Sequence, residues 1–408
     1  HGIPRYSSLG ERSEEALQQE LRKIQNYQAL DRLVRDKVGF DSPARIFRLS
    51  SSAPHHRRQK TDEACQIAGH DYTPETLQKI SELLSSNPEY YTVWNYRRRV
   101  LQHEFNLASS NDSEEAVTGQ IAALIKKDLQ FLIPLLRKFP KCYWIWNYRM
   151  WLLDEAKRLL PRAVARKFWQ EELALVGKML SLDSRNFHGW GYRRFVVESL
   201  EKLAPEDQEV RSMAQDEFEY AKKMIGTNLS NFSAWHYRTK LIQRLLSEQS
   251  ASDETRKKML DDGQFSHCAK RVSAAGTILT GIAELDLIHR ALCDPYDQSL
   301  WFYHQNLMCT FDPSLSDQSM APNLSNDERL KYLRKEIGEI QEMLDGAEDC
   351  KYIYQALIDC TLLARKVKGT MPSTDQENIL SWLSELKKLD PLRCGRWLDF
   401  EKSLHADV

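Results

Sequence analysis

The chain has 408 residues, and its 57 Lys and Arg against 58 Asp and Glu leave a formal net charge of −1, which excludes a global field for nucleic acid. Only 16 Gly and 14 Pro interrupt a text rich in Leu, Glu, Lys, Arg, Gln and Ala, so an all-α fold is expected rather than a turn-rich sheet. Eight scattered cysteines without a CxxC pair, and no run of 18 apolar residues, exclude a disulfide scaffold and a membrane span. The expectation is a soluble cytoplasmic protein with reduced thiols, no nucleic-acid partner and no stable membrane insertion.

Residues 1–38 read as an N-terminal helical segment. His1 offers an imidazole beside the first amine, a pair that can ligate metal, but a terminal residue is unstructured by default. Residues 39–70 then lose all helical period across Ser50-Ser51-Ser52, Pro54 and the basic run His55-His56-Arg57-Arg58, and they are expected to be a disordered insertion. No aromatics interleave with that basic run, so it does not read as a nucleic-acid arm.

From residue 71 to 310 one pattern recurs. Trp94, Trp146, Trp190, Trp235 and Trp301 each open a Trp-x-Tyr-Arg core, with His304 replacing the Arg in the last copy, at spacings of 52, 44, 45 and 66 residues. Such a period suits two helices per repeat. The first helix of a pair is visible as Leu77, Ile80, Leu83 and Leu84 before Trp94, and as Ile125, Leu129, Leu132 and Leu136 before Trp146, where Pro134 is expected to kink it.

Asn87-Pro88, Phe139-Pro140 and Asp294-Pro295 end that helix, because the residue before proline avoids the α region. The second helix begins just before each tryptophan. Every hairpin exposes apolar surface that only its neighbours cover, so stacking predicts an α-solenoid of helical hairpins, crescent-shaped and continuous in its core. The default role of Trp, Tyr and Arg is therefore structural: the indole fills the seam, and the Arg head finds a carboxylate or a carbonyl. A second patternless stretch near 262–282 accounts for the long fourth spacing and reads as another insertion. Residues 311–408 are expected to form C-terminal helical hairpins whose last repeat, around Trp397, is degenerate.

The Trp-x-Tyr-Arg core and its period separate this array from tetratricopeptide repeats, whose period is about 34. It resembles instead the protein prenyltransferase α-subunit repeat family. Within that family the runs at 231–238 and 294–304 look most like Rab geranylgeranyltransferase (geranylgeranyltransferase type II) α subunits. By this resemblance Lys141 takes the place of a lysine that contacts the prenyl diphosphate and His188 that of a histidine facing it. Tyr143 and Asn186 are carried along as substrate-binding neighbours. In farnesyl and type I relatives a Gln follows the Lys-x-Tyr triplet and helps to read a substrate carboxylate; here that position is Trp144, which puts this mode of reading in doubt.

Elementary physics is compatible with the carry-over, since free N–H groups at a helix start favour an anion and a lysine beside them adds full charge. On the residues alone, a lysine near a helix start is usually solvated and an Asn there is usually a cap. The resemblance implies a heterodimeric enzyme, active only with a β subunit, that transfers geranylgeranyl from geranylgeranyl diphosphate to C-terminal cysteines of a Rab GTPase delivered by a Rab escort protein. No cofactor is expected on this chain, which shows no Cys/His/Asp set for a metal, and zinc is assigned to the β subunit. The alternatives are the α subunit shared by farnesyltransferase and geranylgeranyltransferase type I, and a non-catalytic helical-repeat scaffold.

Overall fold

The computed structural model describes residues 14–38, 71–110, 113–204, 212–261, 283–370 and 372–406. His1 and the insertions expected at 39–70 and near 262–282 lie outside the described residues. Every regular element among the described residues is a helix, and no described helix is long and apolar enough to cross a membrane.

In chain order the helices are α1 (Glu14–Val38), α2 (Pro74–Ser86), α3 (Tyr91–Ala108), α4 (Glu114–Lys138), α5 (Tyr143–Leu159), α6 (Arg162–Leu182), α7 (Phe187–Lys202) and α8 (Ala214–Thr227). They continue as α9 (Phe232–Glu248), α10 (Asp253–Leu260), α11 (Glu284–Ala291), α12 (Gln298–Met308), α13 (Asn326–Glu342), α14 (Lys351–Lys368), α15 (Ser373–Leu389) and α16 (Cys394–Ala406). Short 3₁₀ turns follow α12 and precede α16. The chain forms two compact units, one of residues 1–179 and 188–209, the other of 180–187 and 210–408.

Local chemistry sets the boundaries. Thr73 caps α2 by accepting the Thr76 N–H, with Pro74 in the first turn; Ser113 does the same for α4, and Ser325 with Glu328 forms a reciprocal capping box at α13. Asn87 and Phe139, each before a proline, leave the helical region at φ −139° and −131°, which stops α2 and α4. Gly369 ends α14 at φ +78°, a conformation open to a residue without Cβ. Helix α4 runs through Pro134 to Lys138, with the proline's missing N–H falling in its final turns.

Each second helix starts three residues before its aromatic anchor, as expected, and the five tryptophans are at most 6% exposed. In four of them the indole N–H donates to the carbonyl six residues upstream: Trp94 to Pro88 at 2.7 Å, Trp146 to Pro140 at 2.8 Å, Trp235 to Leu229 at 2.8 Å and Trp301 to Pro295 at 2.6 Å. The indole therefore fills the core and fastens the turn to the helix it opens.

The motif arginines are buried ion-pair partners. In the first unit Arg97 forks onto Asp128 of α4, its Nε 3.1 Å from Oδ2, and the Tyr148 hydroxyl of α5 donates to the same Oδ2 at 2.7 Å. Arg149 repeats the arrangement one hairpin later, with Nε and Nη2 at 2.9 and 2.7 Å from Glu172 of α6 and Nη1 donating to the Leu129 carbonyl at 2.9 Å. In the second unit Arg238 forks onto Glu284 at 2.9 and 2.6 Å, and Tyr303 donates to that carboxylate. Burial pushes the Tyr148, Tyr192 and Tyr303 hydroxyls well up, and the carboxylate beside each pushes further, so all three stay protonated, and Tyr148 and Tyr303 donate to their carboxylates.

One repeat escapes the tryptophan pattern. Helix α14 starts three residues before Tyr354, whose hydroxyl donates to the carbonyl of Glu348, six residues upstream, at 2.9 Å. Tyr354 thus takes the indole's place in a hairpin of α13 and α14, and α15 with α16 follows as the hairpin of Trp397.

Candidate functional site

The predicted residues all lie where a second helix begins. Lys141 stands exposed in the turn before α5, and Tyr143 is the first residue of α5 and half-exposed. His188 is the second residue of α7 and half-buried, and Asn186 precedes α7. The first unit brings Tyr143 and His188 together, with ring centroids 6.2 Å apart, and Lys141 is two residues from that contact along the chain. Asn186 is 4% exposed, and its counterpart Asn231 in the next copy is fully buried, capping α9 through the Ala234 N–H at 3.2 Å. That burial favours the capping role for Asn186 and leaves little of it for a ligand.

A chain of polar contacts reaches Tyr143 from the preceding hairpin. Arg98 of α3 lies over the rings of Tyr148 and Trp151 at 5.8 and 5.6 Å, and its Nη2 donates to Asn147 Oδ1 at 2.6 Å. Asn147 Nδ2 in turn donates to the Tyr143 hydroxyl at 3.4 Å. Burial lowers Arg98 from its ordinary value, yet a guanidinium starts so high that it stays charged. His188 is likewise lowered by burial, partly offset by the Glu89 carboxylate. Burial thus favours the neutral form of its ring.

Sequence reasoning missed the aromatic character of this edge. Tyr91 meets Trp144 at 5.5 Å and Trp144 meets Tyr143 at 5.3 Å, so four rings from Tyr91 to His188 form a ladder in the first unit. Its signal was legible: Tyr91, Tyr143, Phe187 and Phe232 all stand three residues before a motif tryptophan, and all are about half-exposed or more. Arg98 was missed as well, since an Arg directly after the motif occurs only in the first and third copies. Among the described residues no group of three His, Cys, Asp or Glu side chains could hold a metal ion.

Comparison with known proteins adds to this geometry. The repeat family described as "Protein prenyltransferase alpha subunit repeat" matches residues 61–104, 125–156, 169–200 and 214–245. A geranylgeranyl transferase type-2 subunit alpha of Candida albicans is 47% identical over 151 residues, 37% of this chain, and the match spans 38% of that relative's length. The Schizosaccharomyces pombe protein of the same description is 34% identical over 348 residues, 82% of this chain and 87% of the relative. Among solved structures, "Candida albicans protein geranylgeranyltransferase-I complexed with GGPP" superposes with a TM-score of 0.50 at 20% identity, covering 82% of this chain and 85% of that one. At that identity the likeness concerns the fold alone.

Proposed function

The chain belongs to the family of geranylgeranyl transferase type-2 α subunits, and from that premise we propose that it is the α subunit of a heterodimeric Rab geranylgeranyltransferase. In this reading it pairs with a β subunit in the cytoplasm and supports transfer of geranylgeranyl from its diphosphate to C-terminal cysteines of a Rab GTPase presented by an escort protein. The observation that carries the chemical half is the clustering of Tyr143 and His188 at two helix starts beside Lys141.

The reaction joins a cysteine sulfur to C1 of the isoprenoid while the C1–O bond breaks, and negative charge grows on the departing diphosphate. A zinc ion on the partner would keep the attacking thiol ionised. This chain's share is electrostatic. The Lys141 ammonium and the positive end of the α5 dipole favour the charge that appears on the leaving group, more in the transition state than before it. Tyr143, held through Asn147 by Arg98, offers a hydroxyl at a fixed place, and His188 adds a neutral N–H that gains a proton when phosphate arrives.

Lys141→Ala in the co-expressed heterodimer tests the reading. Removing one such donor should lower the single-turnover transfer rate to a Rab–escort complex by about 100-fold, while heterodimer assembly stays intact. An unchanged rate would take Lys141 out of the site and favour a scaffold that lends nothing to the chemistry. Preference for CaaX peptides over Rab–escort complexes would point to the farnesyl and type I branch instead.

A further inference from the structure

Two neighbouring arginines of α3 behave differently. Arg97 is closed onto the buried carboxylate of Asp128, whereas Arg98 meets no carboxylate among the described residues. The Arg98 guanidinium is half-buried over the rings of Tyr148 and Trp151, and its Nε is buried without an acceptor. Both hydrogen bonds it makes go to amide oxygens, from Nη1 to Asn95 Oδ1 at 3.2 Å and from Nη2 to Asn147 Oδ1 at 2.6 Å. A partly desolvated cation without a counter-ion adds little to the stability of a fold.

The bond to Asn147 fixes a direction. Arginine has five donors and no acceptor, so Asn147 must turn its oxygen to Arg98 and its NH₂ to the Tyr143 hydroxyl, one turn back on α5 at 3.4 Å. The phenol oxygen therefore accepts, and its single hydrogen is directed away from Asn147. Each link strengthens the next, since an amide that accepts from a cation donates better, and so does a hydroxyl that accepts from that amide. The relay thus ends in a donor at Tyr143, which is in ring contact with His188 and two residues from Lys141. Such an end suits the oxygens of an anion and disfavours a cation.

We propose, building on the reading of this site as a contact for prenyl diphosphate, that Arg98 is a positioning residue for prenyl transfer. Through Asn147 it sets the polarity of the Tyr143 hydroxyl, so that the phenol hydrogen is presented to the diphosphate oxygen on which charge grows as the C1–O bond breaks. Arg98 acts only through Tyr143. Its effect falls on a hydrogen bond that strengthens in the transition state, so it governs the rate of transfer and not the affinity for geranylgeranyl diphosphate.

A double-mutant cycle in the co-expressed heterodimer tests this, read as single-turnover transfer to a Rab–escort complex and as affinity for geranylgeranyl diphosphate. Arg98→Met keeps an aliphatic stem on Tyr148 and Trp151 but removes the donor. It should slow transfer about tenfold, less than the loss of a whole donor, with diphosphate affinity unchanged. Asn147→Asp is the sharper variant: its carboxylate pairs with Arg98 more firmly yet accepts from Tyr143, which turns the phenol hydrogen inward. That heterodimer should be at least as stable as the parent and slower by a similar factor. Both losses should vanish in a Tyr143→Phe background, where no hydroxyl is left to orient. Should Arg98→Met fail to assemble with the β subunit, Asn147→Leu takes its place in the cycle, because it breaks the relay and leaves the arginine in its stack. Losses that persist in Tyr143→Phe, or an Asn147→Asp enzyme as fast as the parent, would overturn the proposal. Lys141→Ala stands outside the relay, so slower transfer by that variant in the same event would leave the reading of the site intact.

Discussion

In the first unit, from Tyr91 to Lys202, successive hairpins are joined by buried ions: Arg97 on Asp128 with Tyr148, then Arg149 on Glu172 with Tyr192 alongside. In the last two hairpins of the second unit, from Asn326 to Ala406, the positions of motif Tyr and Arg after the anchor are Ala356 and Leu357 in one and Asp399 and Phe400 in the other, and among the described residues no such buried ion lock forms within them. Tyr354, Ile358, Ile379, Leu383, Leu386, Trp397 and Leu404 build an apolar cluster there instead. Both regions nevertheless make helical hairpins with an aromatic anchor three residues into the second helix. The anchor and the apolar seam are thus what a hairpin needs, and the ionic lock is an addition. Its physical effect is to fix which helix follows which, since a slipped register strands a charge.

The largest effect follows from breaking the lock on one side only. Glu172→Ala leaves the Arg149 guanidinium buried without its carboxylate, at a cost of about 3–5 kcal/mol read by chemical denaturation. The double variant Arg149→Met with Glu172→Leu should recover most of that loss, because no charge is left behind. If the single and double variants unfold at the same denaturant concentration, the loss in the single variant does not come from a stranded charge.

The two regions also differ in what their residues disclosed. Five tryptophans with Tyr, and in four copies Arg, at fixed offsets disclosed two helices per repeat, the turn between them and a carboxylate or carbonyl for the guanidinium, because indole, guanidinium and proline each permit few environments. Tyr354 stayed hidden, since one phenol among 16 tyrosines carries no periodic mark until Glu348 is seen beneath it. At the candidate site the resemblance singled out Lys141, Tyr143 and His188, and the ring contact between the last two agrees with stacking of equivalent positions. The Arg98 to Asn147 to Tyr143 chain was not legible, because it joins residues of different hairpins, and side-chain reach across a stack is not a sequence property.

Between the two regions lies a hybrid that sharpens the comparison. His304 replaces the fifth motif Arg, and its Nε2 and that of His289 each lie 2.8 Å from Glu336 Oε1. Burial opposes charge on Glu336, but the two imidazoles hold its carboxyl at about 2. Burial likewise opposes charge on His289, and Glu336 outweighs it, raising the imidazole above its usual 6.5, with Glu339 adding to the rise and Lys335 opposing it. A raised histidine contributes stability that is complete below its unfolded value and lost as pH rises through its folded value; the lowered Glu336 contributes above about 4.5 and loses it as pH falls towards 2. His289→Gln should therefore cost about 1–3 kcal/mol near pH 6, the range for a buried hydrogen bond to a charge, and less at pH 8. Unfolding midpoints whose difference from the parent stays constant from pH 6 to 8 would show that the hybrid acts as a neutral contact.

The smallest effect tests whether the anchor works by its polar tip or by its ring. Tyr354→Phe removes only the hydroxyl bond to the Glu348 carbonyl, and the ring keeps its place against Ile358 and Leu383, so the loss should be about 0.5–1.5 kcal/mol. Trp397 supplies the complementary case, since its indole N–H is buried without an acceptor among the described residues. Trp397→Phe then forfeits ring area but no hydrogen bond, and it relieves a buried unpaired donor, which offsets part of the lost contact. If the anchors act by filling the seam, Trp397→Phe should cost at least as much as Tyr354→Phe despite losing no bond. If fastening the turn is what matters, the order reverses, and the i to i−6 bond seen at Trp94, Trp146, Trp235, Trp301 and Tyr354 is what holds the turn to the helix in both regions.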